Sequence, residues 1–174
     1  MYGDRRFAAM MMAKVNCVHL INHLGYNVLF QDVDLIWFKH PLDFFRQHDP
    51  STPIGSFDMY FQDDGSHSTR YSPFAANSGF YYVRYNERTR YFITALLMHA
   101  DIILKTGSHQ QAMTAVLAEH TSLYGLKVKV FGRDDEEYGD LFPGGFHYHK
   151  RREYMQRMVK GEVQPYIFHM WYVQ

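Results

Sequence analysis

The run VLFQDVDLIWF, residues 28–38, constrains the fold more than any other stretch of this chain. Val28, Leu29 and Phe30 lead into it and Leu35, Ile36 and Trp37 lead out, a strand apolar enough to need cover from flanking elements. Yet Asp32 and Asp34 stand inside it. Alternation along a strand puts residues i and i+2 on the same side, so the pleat points both carboxylates one way. Like charges that close repel, and burying either without a partner is costly. A bound cation relieves the conflict, and so does a place at the strand's open end, where water and ligands reach. Either remedy marks a site.

The rest of the chain reads as helices and further strands in alternation. Residues 4–24 predict a helix, with Phe7, Met10, Met11, Lys14, Val18 and Ile21 near helical spacing and Gly25 as its C-cap. HPLDFFRQ is a turn and short helix with Pro41 near its first position. IGSFDMYFQ reads as a strand closed by the turn chemistry of DDGS, and SGFYYVR (78–84) as another strand. Asn86 caps one long helix, ERTRYFITALLMHADIILK, ending before Gly107; Ser108 caps the next, HQQAMTAVLAEH. LKVKVF is a strand, KRREYMQRMVKG a helix stopped by Gly161, and PYIFHMWYV a last strand. Without an internal repeat, the expectation is a single α/β domain over residues 1–174, with a mixed, mostly parallel sheet flanked by helices.

Charge narrows the partners. Eighteen Lys and Arg balance eighteen Asp and Glu, so no global field recruits nucleic acid. The basic run HKRREYMQR reads as a solvated helix face, and no apolar run is long enough for a membrane segment. Cys17, the single cysteine, falls in an amphipathic helix and is expected to be a buried, inert thiol. Aromatics reach 17%, which suits a core and sugar-stacking surfaces alike; Tyr60, Tyr81, Tyr82 and Trp171 are stacking candidates.

Asp32 and Asp34 lie at the C-terminal end of their strand, where open α/β sheets place ligands. Two carboxylates at that spacing suit a hard divalent cation that bridges to phosphates. In NSGF, Asn77 and Ser78 offer an amide and a hydroxyl to sugar hydroxyls, and Gly79 lets a ligand approach the backbone. Of the histidines, His147 and His149 share one side of an extended segment, a spacing that also suits zinc; the single cysteine argues against a structural zinc site. His169 ends a strand and could complete an O,O,N metal shell.

Taken in order, GYNVLFQDVDLIWFKHP, NSGFYYVRYN, HQQAM, FPGGFHYHK and PYIFHMW resemble the nucleotide-diphospho-sugar transferase family, which includes plant rhamnogalacturonan xylosyltransferases and extensin arabinosyltransferases. The resemblance covers nearly the whole chain. It implies a GT-A fold and a Golgi-lumenal, metal-dependent glycosyltransferase that uses Mn²⁺ or Mg²⁺. Such an enzyme moves a sugar, with retention, from a nucleotide-diphosphate sugar donor to a glycan or glycoprotein acceptor. Carried over, Asp32 faces the donor ribose and the metal, Asp34 is the main metal ligand, and His169 is the third. Lys14 contacts the donor sugar, while Asn77, Ser78 and Gly79 line the sugar and acceptor side. Gln110 and Gln111 stand at the catalytic position where the family usually has Asp-Gln, so a neutral amide replaces a carboxylate. The fold also opens with base-holding β-α units before the Asp-x-Asp strand, and one helix precedes it here. The chain therefore reads as a partial catalytic domain with weak discrimination among bases. Two other readings stay open: a haloacid-dehalogenase-like phosphatase with its Asp-x-Asp nucleophile, and a sugar-nucleotide- or glycan-binding module without turnover.

Overall fold

A computed structural model describes residues 4–47, 51, 54–65, 69, 73–132, 136–144 and 148–170. His147 and Trp171, and the side chain of His149, lie outside that description.

Helix α1 (Arg5–His23) starts where Asp4 accepts a hydrogen bond from the Phe7 amide at 2.9 Å, and the chain leaves it through Gly25 at φ 95°. It buries Ala8, Met11, Val15, Val18 and Asn22. Met10, Cys17 and Ile21 each sit one residue off that stripe, and all three are exposed. The expectation of a buried Cys17 is thereby corrected: the helix turns its thiol to solvent.

The apolar run after α1 is two strands, not one. Strand β1 (Val28–Gln31) pairs antiparallel with β4 (Ala76–Val83), whereas β2 (Leu35–Trp37) pairs antiparallel with β6 (Ile167–His169) in a separate two-stranded sheet. Residues 32–34 are the crossing between the sheets. Pleat alternation therefore does not set the directions of Asp32 and Asp34; a turn does. Helix α2 (Pro41–Gln47) and a 3₁₀ turn (Ile54–Ser56) lead to β3 (Met59–Asp63), shorter than the strand expected from residue 54.

After β4, Asn86 caps α3 (Glu87–Met98) through a reciprocal exchange with Thr89. The single long helix expected here breaks at His99, at φ −90° and ψ 31°, with its Nδ1 2.8 Å from the Ala95 carbonyl. Helix α4 (Ala100–Thr106) follows, closed by left-handed Gly107, and then α5 (His109–Leu123). Ser108 holds the N-cap position in extended conformation but makes no side-chain cap. Strand β5 (Val128–Phe131) and helix α6 (Tyr148–Val159) complete the elements before β6.

The main sheet runs β1-β4-β3-β5. It is mixed, as expected for an α/β chain, but only partly parallel and not mostly so: among the described residues β3–β5 pairs parallel, whereas β1–β4 and β3–β4 pair antiparallel. All eight residues of β4 are buried, and alternation over residues 80–83 divides those four between two cores. Tyr81 and Val83 join Met11, Val15, Phe61, Phe92, Leu96, Met113 and Leu117 under helices α1, α3 and α5. Phe80 and Tyr82 join Phe44, Phe45, Tyr60, Phe131, Phe142 and Ile167 on the opposite face. Each such side chain contributes roughly 1.5–3 kcal/mol of burial.

That second core absorbs much of the aromatic content. Phe45 stacks on Tyr82 at 4.2 Å and Phe142 on Tyr166 at 5.3 Å, while Phe44 meets Phe131 edge-on. Tyr60 and Tyr82 here, and Tyr81 in the first core, are core residues with no ring face left for a sugar, which corrects their reading as stacking candidates. The Tyr60 hydroxyl donates to the Ile54 carbonyl at 2.5 Å. No described helix is long and apolar enough to cross a membrane.

Candidate functional site

The sheet crossing places its two aspartates against different partners. Asp32 stays with the main sheet: its amide donates to the Gly79 carbonyl at 2.7 Å, and its Oδ1 accepts from Lys14 Nζ of α1 at 2.6 Å. Asp34 belongs to the small sheet. Its carbonyl accepts from the Met170 amide at 2.8 Å, and its Oδ1 lies 3.2 Å from His169 Nε2.

His169 is oriented from behind. The Gln62 amide donates to the Pro143 carbonyl at 3.1 Å, which turns its Oε1 to within 3.0 Å of His169 Nδ1. With that acceptor Nδ1 carries a proton, and Nε2 faces the Asp34 carboxylate. Burial holds the imidazole below its ordinary pKa although Asp34 and Asp32 pull the other way, and the neutral ring is the form that ligates metals.

Gly79 makes room for this assembly. A Cβ there would come within 2.7 Å of His169 Cε1, 2.9 Å of Asn77 Oδ1 and 3.1 Å of Asp32 Oδ2. The glycine is thus required by packing. Around it, Asn77 Oδ1 accepts from the Gly79 amide at 2.6 Å, and Gln110 Oε1 accepts from both the amide and hydroxyl of Ser78, each at 3.1 Å.

A cavity of about 310 Å³ opens over these groups. Of the residues singled out in the sequence, Lys14, Asp32, Asp34, Asn77, Ser78, Gly79, Gln110 and His169 line it; Gln111, one step along α5, does not. Two polar residues not singled out there also line it, Asp64 and His109. Asp64 follows β3 in DDGS, where turn chemistry masked it. The one repeat nearby, Phe-Gln-Asp at residues 30–32 and 61–63, marks Asp63 and not Asp64. Burial raises the Asp64 carboxyl even though Gln110 and Asn77 hydrogen-bond to it. His109 opens α5 with its Nδ1 3.0 Å from Met11 Sδ; burial, then the Lys14 charge, hold its pKa down at about 4.

The donor set suits a hard divalent cation in part. In an octahedral shell with bonds of about 2.1 Å, adjacent ligand atoms stand about 3 Å apart, close to the 3.2 Å between Asp34 Oδ1 and His169 Nε2. Asp32 is drawn aside to Lys14, and among the described residues no three His, Cys, Asp or Glu side chains gather as a metal site.

The sequence model of the nucleotide-diphospho-sugar transferase family matches residues 1–174. A beta-arabinofuranosyltransferase of Arabidopsis thaliana, RAY1, is 32% identical over 99 residues, which are 57% of this chain and 18% of that protein. The UDP-D-xylose:L-fucose alpha-1,3-D-xylosyltransferase 3 of the same plant is 44% identical over 48 residues, 26% of this chain and 10% of that protein. The UDP-galactose:fucoside alpha-3-galactosyltransferase of Dictyostelium discoideum is 33% identical over 96 residues, 53% and 14%. The matched region thus spans less than a fifth of each relative. No solved structure matches.

Proposed function

Since the chain belongs to the nucleotide-diphospho-sugar transferase family, we propose that it forms part of a metal-dependent, retaining glycosyltransferase acting on a nucleotide-diphosphate sugar. The observation that carries this reading is the meeting of Asp34 and His169, residues 135 positions apart, at one cavity with Asp32. Asp34 Oδ1 and His169 Nε2 would hold Mn²⁺ or Mg²⁺, with Asp32 joining on release from Lys14. When bound, the cation supplies positive charge to the diphosphate as the leaving oxygen becomes negative.

The chain's own groups have matching tasks. Lys14, freed from Asp32, offers its ammonium to the same diphosphate. Ser78 and Asn77 are held against the β4 backbone, and Gly79 keeps the floor of the cavity flat. The names of two relatives carry UDP-xylose and UDP-galactose, which makes a UDP-linked sugar the donor to try first. The acceptor is a glycan or glycoprotein, and the compartment the Golgi lumen, as in the family the motifs resemble.

Isothermal titration of UDP with Mn²⁺ present tests the reading. Wild-type protein binds, chelation removes the binding, and Asp34→Ala abolishes it because one of two assembled ligands is lost. Affinity unchanged in the Asp34→Ala variant refutes the assignment.

A further inference from the structure

Gln110 brings a neutral amide to the cavity, and a carboxylate reaches it from Asp64. We propose that Asp64 reads the hydroxyls of the donor sugar. On this assignment the site takes neutral sugars with adjacent free hydroxyls and rejects those carrying a carboxylate. The assignment rests on the donor reading above and specifies which part of the donor this wall recognises.

Three observations carry it. The two amides beside Asp64 are already committed. Gln110 Oε1 accepts from the Ser78 amide and hydroxyl, and the Gln110 side chain hydrogen-bonds Asp64. Asn77 Oδ1 accepts from the Gly79 amide, and its Nδ2 donates to Asp64 Oδ1 at 3.2 Å. Both are thus positioning residues, with their acceptor oxygens used on the backbone of β4 and Asp64 clamped between their side chains.

Next, the local turn does not need the Asp64 side chain. The Gly65 amide is capped by Asp63 Oδ1 at 2.6 Å, and Asp64 contributes its backbone amide to the Ala75 carbonyl at 2.7 Å. Finally, a carboxylate offers about four lone-pair directions, and the two amides take about two. Asp64 lines the cavity, which brings its remaining acceptor capacity within reach of a ligand there. A fixed, partly buried acceptor of this kind matches two neighbouring O–H donors, and it repels a uronate.

The test is titration calorimetry at pH 8 with Mn²⁺, using UDP, UDP-galactose and UDP-galacturonate on wild type and Asp64→Asn. Wild type is expected to bind UDP-galactose about tenfold or more tightly than UDP-galacturonate, the scale of hydrogen bonds to a charged group. Asp64→Asn should leave UDP affinity within about twofold, weaken UDP-galactose about tenfold and narrow the gap to the uronate. Wild type with no preference for the neutral sugar overturns the assignment, and that comparison needs no variant to fold. Equal loss for UDP and UDP-galactose in the variant also overturns it, since Asp64 would then be supporting the cavity. Wild type that fails to bind UDP refutes the donor reading itself and this assignment with it.

Discussion

Gly79→Ala puts the packing of the site to a direct test. The new Cβ arrives 2.7 Å from His169 Cε1, whereas carbon atoms rest at about 3.5–4.0 Å, so the ring must retreat by roughly 1 Å. It has little freedom to do so. Gln62 holds Nδ1, β6 is paired with β2, and His169 is 3% exposed. Asn77 Oδ1 at 2.9 Å and Asp32 Oδ2 at 3.1 Å close the other directions. Overpacking of this kind costs about 1–3 kcal/mol, which for a domain of this size lowers Tm by roughly 2–10 °C. The same displacement separates His169 from Asp34, so Mn²⁺-dependent UDP binding should weaken as well. Scanning calorimetry reads the first effect and titration the second. A double-mutant cycle identifies the cause: with His169→Ala the nearest obstacle is gone, and Gly79→Ala should then cost about 1 kcal/mol less. A variant melting within about 1 °C of wild type, or an identical cost in both backgrounds, refutes the steric account.

Two further outcomes follow from buried titratable groups. His109 has a folded pKa of about 4 against an ordinary 6.5, so as pH falls from 6.5 the unfolded chain takes a proton that the folded one refuses. Stability is therefore lost between pH 6.5 and 4, by up to about 3 kcal/mol, and His109→Phe should flatten that acid limb in urea titrations. Asp58 also loses its contribution on acidification, at lower pH. Burial raises its carboxyl, but paired bonds from Arg88 at 2.8 Å and the Lys127 amide at 2.9 Å outweigh that and hold it below its ordinary value. Asp58→Ala should cost about 2–3 kcal/mol at pH 7. The gap from wild type should close below about pH 4, as the native carboxylate takes up its proton.

Hydrophobic period and capping made most of the fold legible. Asp4, Gly25, Asn86 and Gly107 mark helix ends that the structure also shows, and the class of a helix-flanked mixed sheet follows from the order of elements. What failed had local causes. An unbroken apolar run says nothing about a change of sheet, so residues 28–38 look like one strand although Asp32 and Leu35 answer to different partners. The break at His99 comes with a side-chain contact to the Ala95 carbonyl that no periodicity encodes. At the site, Asp-x-Asp and NSGF stand out because polar groups in apolar strands are conspicuous. Asp64 was hidden because an acid before glycine is ordinary in a turn. Its partner Gln110 comes 46 residues later, and tertiary folding alone brings the two together.

The crossing at residues 32–34 has a mechanical consequence. Asp32 is fastened to the β1–β4 edge of one sheet and Asp34 to the β2–β6 ribbon, so the two carboxylates ride on opposite jaws. The gap between them is set by how the ribbon sits on the sheet, through contacts such as Ile167 in the aromatic core and Phe168 against Tyr154 of α6. Whatever draws the carboxylates together also pulls the ribbon down onto that core, and loosening the α6 seat slackens the grip without touching either aspartate.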